Sequence, residues 1–161
     1  DAGPRRPRWL ALIAGRALDA DYRSALDAQV ARLGIGDRVE FLGAVDDVPA
    51  FLRSLDAFVL PTWARWRMEG CPVSLLEAMA TGLPAVATDI PGSRDLVEDG
   101  EGGLLVPPED ADALAGALGR LEDPALRSRL ATSARRRVEA HYAIEREVAD
   151  HEAIYAEVGG L

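Results

Sequence analysis

The residues best suited to chemistry lie between positions 69 and 88, where Glu69 and Glu77 stand eight positions apart around a Gly-Cys-Pro turn. The apolar spacing after the turn predicts a helix. The start of a helix offers unpaired backbone amides and the positive end of a dipole, which together bind anions, phosphates above all. A carboxylate beside them can accept hydrogen bonds from sugar hydroxyls. The segment therefore predicts a site for a phosphate linked to a sugar.

The residues of this turn differ in what they can offer. Pro72 suits the first position of a helix, where its missing N–H costs nothing. The amides on offer to a ligand then belong to Val73, Ser74 and Leu75. The Ser74 hydroxyl either contacts a phosphate or caps the helix. We interpret Cys71 as a small packing residue rather than a nucleophile, because no histidine lies near it in the sequence.

A loop rich in aromatic and basic residues precedes the turn. Residues 62–68 read Thr-Trp-Ala-Arg-Trp-Arg-Met. Exposed aromatic side chains among arginines are costly unless they bind something. An acceptor molecule, a phosphate of the ligand and a neighbouring domain are candidates for this role. A loop folded back onto the sheet edge is the alternative.

Other patterns that could carry chemistry are weak. The acid-x-acid pattern at residues 19–21 is found in metal-using sugar-transfer enzymes, but Asp19 also suits a helix N-cap, which we favour. Residues 100–103 lack the spacing of a dinucleotide-binding loop and predict a turn before a strand. His141 and His151 have no partner at metal-ligand spacing, so we interpret them as surface residues. We therefore expect neither a metal nor a cofactor.

Composition excludes several classes of function. The chain has 161 residues, enough for one domain with a core, and 48% of them are apolar. A formal net charge of −9 argues against nucleic acid as a partner. All 18 basic residues are arginines, which excludes a Schiff-base or P-loop lysine within this chain. The single cysteine excludes an internal disulfide, and no apolar run is long enough to span a membrane.

Short apolar runs alternate with helical patterns along most of the chain. Strands are predicted at residues 9–14, 38–42, 57–60, 85–88 and 103–106. Helices are predicted at residues 20–33, 48–55, 73–81, 93–98, 110–121, 124–142 and 144–158. Asp19 and Asp47 suit N-caps, and Gly34 and Gly82 suit helix ends. This alternation is typical of an α/β fold with a parallel sheet and helices on both faces.

The last three predicted helices have no strands between them. Within them Leu126, Leu130, Ala134 and Val138 recur every fourth residue and predict a stripe that packs on the sheet layer. In open parallel sheets, ligands bind at the carboxyl ends of the strands. The segment 69–77 directly follows one of these ends, so its position agrees with its chemistry.

With these elements in place, the chain resembles the donor-binding, carboxyl-terminal half of a GT-B glycosyltransferase of family 4, also called group 1. Residues 37–43, 56–62, 69–89, 96–100 and 103–108 carry the resemblance in order and spacing, and the glutamate-x7-glutamate motif is its most specific part. The resemblance implies a Rossmann-like, doubly wound parallel sheet. It also implies that residues 1–161 form a single nucleotide-sugar-binding domain, with C-terminal helices over 124–161.

The resemblance further implies a retaining, metal-independent hexosyltransferase that takes its sugar from a nucleoside-diphosphate sugar. In this family retention is assigned to attack on the same face, with the leaving diphosphate helping to deprotonate the acceptor. Glu77 would hold the ribose hydroxyls, Glu69 would be the catalytic residue near the donor sugar, and the backbone from Leu42 to Val45 would frame the base. The donor-binding residues implied are Glu69, Gly70, Cys71, Val73, Ser74, Leu75, Glu77, Leu42 and Val45.

The chain departs from the family pattern in two ways. Whole enzymes of this type have an amino-terminal acceptor domain, which is absent here. A strand with Gly-Arg and a following lysine-glycine pair should precede Trp9, and it is also absent. Its basic residues neutralise the diphosphate, and Arg16, Arg65 and Arg67 are the nearby replacements. We therefore expect a sheet without its first, inner strand and a chain that is inactive alone.

Three functions stay open at this point. The first is the donor half of a glycosyltransferase acting on a glycan or another hydroxyl acceptor. The second is a non-catalytic or split-system module that binds nucleotide sugars, and the third is a sugar-nucleotide epimerase of similar fold. The resemblance favours the first, in cytoplasmic polysaccharide biosynthesis, with an amino-terminal acceptor domain or a partner chain. Attachment to the membrane periphery through that domain is left open.

Overall fold

The computed structural model describes residues 9–63 and 70–159, which form five strands and seven helices. The strands are β1 (Ala11–Ala14), β2 (Val39–Gly43), β3 (Phe58–Leu60), β4 (Ala85–Thr88) and β5 (Gly103–Val106). The helices are α1 (Ala20–Leu33), α2 (Val48–Arg53), α3 (Val73–Thr81), α4 (Pro91–Leu96), α5 (Ala111–Arg120), α6 (Pro124–His141) and α7 (Ile144–Gly159). The chain divides into two compact units between Phe51 and Leu52, and each unit has its own sheet.

The first unit is built on β1 and β2, which pair in parallel with Ala11 opposite Val39. Helix α1 connects them. It begins after Asp19, whose carboxylate accepts a hydrogen bond from the Tyr22 amide at 2.9 Å. It ends at Gly34, where a φ of 63° gives the left-handed conformation that favours glycine. Both ends of α1 confirm the sequence prediction.

In the second unit, β4 is the central strand, with β3 and β5 parallel on either side. Phe58 pairs with Ala85, and Ala85 pairs with Gly103, so the three strands end at one edge. All four residues of β4 are buried, as expected for a central strand of a parallel sheet. A Cβ atom on Gly103 would lie 2.8 Å from the Ala85 carbonyl oxygen, so glycine is required at this register.

Helix α3 supplies the centre of the core of this unit. Leu75 and Met79 are fully buried, in one cluster with Ala85 and Ala87 of β4 and with Leu96 of α4. Burial of large apolar side chains is worth about 1.5–3 kcal/mol each. The core therefore fixes one face of α3 and leaves the opposite face to solvent.

Helix α6 donates hydrogen bonds to the C-terminal ends of α3 and α4. The Arg135 guanidinium donates a hydrogen bond to the Ala80 carbonyl in the last turn of α3. Arg137 donates to the Leu96 carbonyl at the end of α4, at 2.6 Å. These bonds satisfy carbonyl groups that a helix end leaves without a partner. The two helices that begin at the carboxyl edge of the sheet are thus anchored at their other ends.

The three C-terminal helices differ in burial. The predicted stripe on α6 faces inward, with Leu130 and Ala134 buried, although its main neighbour is α3 rather than the sheet layer. Helix α5 buries Ala117, whereas α7 buries none of its residues. Within residues 9–63 and 70–159, no helix is long and apolar enough to cross a membrane.

The predicted α/β fold with parallel strands and C-terminal helices is confirmed. The bounds of α1, α3, β4 and β5 are those predicted. Helix α4 runs two residues ahead of the predicted 93–98, because Pro91 presets a helical φ at its first position. In the described part of the chain, the ladders form two parallel sheets rather than one. The missing inner strand and the single domain over 1–161 stay predictions.

Candidate functional site

The candidate site lies at the amino end of α3, at the carboxyl edge of the second sheet. Helix α3 connects β3 to β4, and because these strands are parallel it begins at the edge where both strands end. Ligands of open parallel sheets bind at this edge. The structure thus positions Gly70, Cys71 and the first turn of α3 at the edge that the sequence predicted.

The first turn of α3 leaves two backbone amides available. Pro72 is the N-cap of the helix rather than its first residue, and no side chain caps the end. The Leu75 amide already donates to the Pro72 carbonyl at 3.0 Å. Within the described residues, the amides of Val73 and Ser74 have no partner, because the first amides of a helix lack a preceding carbonyl. These two amides, rather than the three expected, are left for a ligand at the positive end of the helix dipole.

The exposed face of α3 carries polar groups in register with these amides. Ser74 and Glu77 are both exposed and lie one turn apart, whereas Leu75 is fully buried and offers a ligand only its backbone. Val73 is 62% exposed beside them. Residues four positions apart in an α-helix, such as Val73 and Glu77, are separated by about 6 Å along the helix axis. One ligand can therefore place an anionic group at the amides and hydroxyl groups beside the carboxylate.

The Glu77 carboxylate is free to accept hydrogen bonds. It has no hydrogen bond or ion pair within the part of the chain that the structure describes. Its backbone carbonyl accepts a hydrogen bond from the Thr81 hydroxyl at 2.8 Å, which ties the last turn of the helix to the residue that carries the carboxylate. The helix ends at Gly82, in the left-handed conformation predicted for it. Glu77 is therefore an exposed acceptor on a rigid support.

The other predicted site residues lie away from the exposed face of α3 or outside the described residues. Cys71, in the middle of the turn, is an exposed free thiol and not the packing residue that we inferred. Leu42 lies in β2 and Val45 just after it, both half-buried and both in the first unit. Glu69 and the loop residues 64–68 fall outside the described residues, so their roles stay predictions. Trp63, at the start of that loop, is 57% exposed.

An ion pair at the same edge was not predicted from the sequence. Asp89 follows β4, and its carboxylate accepts a hydrogen bond from Nε of Arg94 in α4. This hydrogen bond lowers the pKa of the Asp89 carboxyl below its usual value and raises that of Arg94. A second nitrogen of Arg94 donates to the Asp89 carbonyl at 3.3 Å. The pair therefore holds a guanidinium at the carboxyl end of β4, whereas the cations predicted from the sequence were Arg16, Arg65 and Arg67.

A separate groove lies away from this edge. A cavity of about 270 Å³ opens beside α6 and the turn before β5. Its lining includes Glu98, Glu101, Arg136, Arg137 and His141. The turn precedes β5, so the groove is at the amino edge of the sheet, opposite the start of α3. It is not part of the candidate site.

The acidic residues that the structure describes do not form a metal site. Across residues 9–63 and 70–159, no group of three or more His, Cys, Asp or Glu side chains could hold a metal ion. Asp19 acts as the N-cap of α1, which accounts for it without a metal. The prediction that the protein works without a metal stays a prediction.

Comparison with known proteins identifies the family of this chain. Residues 4–123 match the family described as "Glycosyl transferases group 1". The lipopolysaccharide core biosynthesis mannosyltransferase LpsB of Rhizobium meliloti (strain 1021) is 39% identical over 159 residues, which cover 94% of this chain and 44% of LpsB. This chain therefore spans less than half the length of that relative.

Two solved structures have the same fold. Anabaena HepE, in complex with UDP and glucose, superposes with a TM-score of 0.86 at 29% identity, covering 97% of this chain and 42% of the HepE chain. The C-terminal domain of LpcC, a group 1 family protein from Francisella tularensis, gives a TM-score of 0.78 at 29% identity, covering 87% of this chain and 73% of that one. The match to a C-terminal domain agrees with the half of the enzyme that the sequence indicated.

Proposed function

Because this chain belongs to the group 1 glycosyltransferase family, we propose that residues 70–77 bind the diphosphate and ribose of a nucleoside-diphosphate sugar. The observation that carries the proposal is the exposed strip on α3. Among the described residues, the amides of Val73 and Ser74 at its start have no partner, and neither does the Glu77 carboxylate one turn further on. The HepE complex with UDP supports this assignment, since it contains the same class of ligand on the same fold.

The diphosphate would be stabilised by charge and hydrogen bonds together. The amides of Val73 and Ser74 donate to phosphate oxygens, and the α3 dipole adds favourable potential at no reorganisation cost. The Ser74 hydroxyl can donate to the same oxygens. Gly70 and Cys71 provide the backbone that approaches the donor sugar, and Arg94 is an additional cation at this edge. The negative charge that develops on the leaving diphosphate is thereby stabilised during transfer.

The ribose would be selected by Glu77. A carboxylate that accepts from two neighbouring hydroxyls makes charge-assisted hydrogen bonds, which are stronger than neutral ones. Losing them should cost about 1.5–3 kcal/mol, which corresponds to at least tenfold in affinity. Glu69, four positions before Val73, would face the donor sugar as the catalytic residue. The base would be framed by the backbone near Leu42 and Val45.

The proposed reaction is transfer of the sugar with retention. The acceptor hydroxyl attacks the anomeric carbon on the face from which the diphosphate leaves, the bond to the diphosphate oxygen breaks, and that oxygen takes the proton of the hydroxyl. This route uses no protein nucleophile and no metal. The acceptor would be bound by a further domain or a partner chain, so the 161 residues alone should not turn over.

The binding proposal can be tested on this chain by NMR titration with UDP, GDP and ADP. The amide signals of Val73 and Ser74 should shift, and Glu77→Gln should weaken the binding by at least about tenfold. Glu101→Gln is the matched control, because it removes the same charge at the opposite sheet edge and should change nothing. Shifts confined to the groove beside α6, or unchanged affinity in a folded Glu77→Gln variant, would refute the proposal.

The metal-free proposal has its own test. Nucleotide affinity of this chain, and activity of an enzyme that includes the acceptor domain, should be unchanged after treatment with EDTA. Loss of either property with EDTA, and its recovery on addition of manganese or magnesium, would show that a metal takes part.

A further inference from the structure

The ion pair of Asp89 and Arg94 has unused hydrogen-bonding groups at the carboxyl edge of the second sheet. Nε of Arg94 donates to Oδ1 of Asp89, and Nη2 donates to the Asp89 carbonyl oxygen. Among the described residues, Nη1 of Arg94 and Oδ2 of Asp89 have no hydrogen-bond partner. The side chain of Arg94 is 57% exposed and that of Asp89 is 39% exposed. The pair therefore leaves N–H donors and a carboxylate oxygen available to a ligand.

The alternation of side chains along β4 places Asp89 on the face of the sheet that carries α3. Ala85 and Ala87 pack in one cluster with Leu75 of α3, so their side chains are on this face. The Asp89 amide donates to the Val106 carbonyl at 2.7 Å, so the ladder continues through Asp89. Asp89 is thus on the same face as Ala87, about 7 Å further toward the carboxyl edge. It lies at the edge, and on the face, from which α3 starts.

The short helix that carries Arg94, α4, is held at its far end by two side chains. Arg137 of α6 donates to the Leu96 carbonyl at 2.6 Å, and the Tyr142 hydroxyl donates to the Asp95 carbonyl at 2.7 Å. At the near end, the ion pair itself holds the guanidinium. An exposed ion pair adds little to stability. Polar groups fixed from both ends are, by contrast, preorganised for a ligand.

Sugar hydroxyl groups fit the atoms that the pair leaves unused. A hydroxyl group both donates and accepts hydrogen bonds. One hydroxyl can donate to Oδ2 of Asp89 while its neighbour accepts from Nη1 of Arg94, and hydrogen bonds to charged groups are the stronger kind. An anion placed directly on the pair would meet the carboxylate as well as the guanidinium. The pair as a unit therefore favours a neutral group with several hydroxyls.

The orientation proposed for the nucleotide leads its sugar toward this pair. The ribose is at Glu77 and the diphosphate at the amides of Val73 and Ser74, so the ligand runs toward the start of α3. In a nucleoside-diphosphate sugar, the sugar follows the diphosphate on the side away from the ribose. The sugar would therefore extend past the start of α3, over the carboxyl edge where Asp89 and Arg94 lie.

We propose that Asp89 and Arg94 bind two neighbouring hydroxyl groups of the donor's sugar and thereby select that sugar. Oδ2 of Asp89 accepts from one hydroxyl, and Nη1 of Arg94 donates to the next. The proposal rests on the nucleotide-binding function proposed for α3, but it concerns the sugar and not the nucleotide. A sugar epimer that moves either hydroxyl loses one of these bonds, so the pair discriminates among donors that share a nucleotide.

The test compares each nucleoside diphosphate with the same nucleotide carrying a sugar. The 161-residue chain is titrated by NMR with UDP, UDP-glucose and UDP-galactose, with GDP and GDP-mannose, and with ADP and ADP-glucose. The amides of Val73 and Ser74 should shift with a nucleotide that binds, with or without its sugar. The Nε–H signal of Arg94 should shift markedly only when the sugar is present.

The titration separates failure of this proposal from failure of the nucleotide site. A diphosphate that shifts the α3 amides, with no sugar that moves the Arg94 signal, would overturn the sugar assignment and leave the nucleotide site standing. If no nucleotide shifts the α3 amides, both proposals are wrong.

Two variants separate hydroxyl binding from charge. Asp89→Asn removes a negative charge beside Arg94, so the diphosphate alone should bind at least as tightly as it does to the wild type. The sugar-bearing ligand should bind this variant at least about fivefold more weakly, because a charge-assisted hydrogen bond is lost. Arg94→Lys keeps the charge but loses the planar fork, and it should weaken the sugar-bearing ligand more than the diphosphate.

The matched controls are Asp150→Asn and Arg146→Lys, which alter an exposed ion pair of α7 in the same way and should change neither affinity. All four altered side chains are at least partly exposed, so the variants should keep the fold, which circular dichroism would verify. Equal weakening of both ligands by Asp89→Asn would show that the pair acts on the nucleotide. Unchanged affinity for both would show that it is only a surface ion pair, and either result overturns the proposal.

Discussion

Helices α3 and α7 differ in how much of each is buried against the rest of the described chain. Helix α3 is divided lengthwise, with Leu75, Ala78 and Met79 fully buried and Glu77 exposed. Helix α7 has acids and apolar residues on its surface and no buried face at all. A small ligand needs groups held in fixed geometry, which a core-anchored helix provides.

The largest expected effect tests the anchoring of α3. Leu75→Ala removes a fully buried side chain from the core and should lower the free energy of unfolding by about 2–5 kcal/mol. Val148→Ala truncates an exposed residue of α7 and should change it by less than about 0.5 kcal/mol. Urea denaturation of the two variants measures the difference. Similar losses for both would contradict the contrast between the helices.

Two glycines extend the comparison to the backbone. Gly103→Ala introduces a Cβ atom 2.8 Å from the Ala85 carbonyl oxygen, and it should cost about 1–3 kcal/mol of stability. Gly116→Ala lies at an exposed position of helix α5 with no atom near the new Cβ, and it should gain about 0.5–1 kcal/mol of stability. Thermal unfolding should therefore shift in opposite directions. A shift in the same direction would show that the close approach in the sheet relaxes freely.

The smallest expected effect concerns Asp89 and Arg94. Because the hydrogen bond from Arg94 lowers the pKa of the Asp89 carboxyl in the folded state, the pair stabilises the protein above the unfolded pKa, near pH 4. That contribution is lost as the pH falls through the lowered pKa. Asp89→Asn should therefore be slightly less stable than the wild type at pH 7, and the difference should vanish in acid.

The control for this variant is Asp46→Asn, an exposed aspartate with no ion pair in the described chain. It should show no such pH-dependent difference. The effect of Asp89→Asn is small because both side chains are partly exposed and their interaction is screened by solvent. A difference between wild type and Asp89→Asn that persists undiminished at pH 2 would mean that the ion pair is not its cause.

Local patterns were sufficient to predict the bounds of α3 and its place at the carboxyl edge of the sheet. The turn before Val73, the apolar spacing of Leu75 and Met79, and Gly82 at the end are all signals within one short segment, residues 70–82. The sequence predicted Pro72 as the first residue of the helix, whereas it is the N-cap. The fixed φ of proline suits both positions. Only the backbone path into the helix decides between them.

Features that depend on distant contacts could not be predicted in the same way. Asp89 and Arg94 are five residues apart, a spacing that no regular helix or strand brings together. The hydrogen bond from Arg135 to the Ala80 carbonyl at the end of α3 joins residues 55 positions apart. The sequence predicted α7 as a helix, but not that none of its residues is buried, because burial depends on what lies opposite. Pattern shows which face is apolar, and only the fold shows whether it is packed.

The central claim is that the Glu77 carboxylate binds ribose hydroxyls while the α3 amides bind phosphate. The most direct measurement is a four-way NMR titration of wild type and Glu77→Gln with a nucleoside diphosphate and its 2′-deoxy analogue. The wild type should lose affinity for the 2′-deoxy ligand, whereas Glu77→Gln should bind both ligands equally weakly, with the Val73 and Ser74 amides shifting in every case. An equal loss on removal of the 2′-hydroxyl in both proteins would show that another residue holds the ribose.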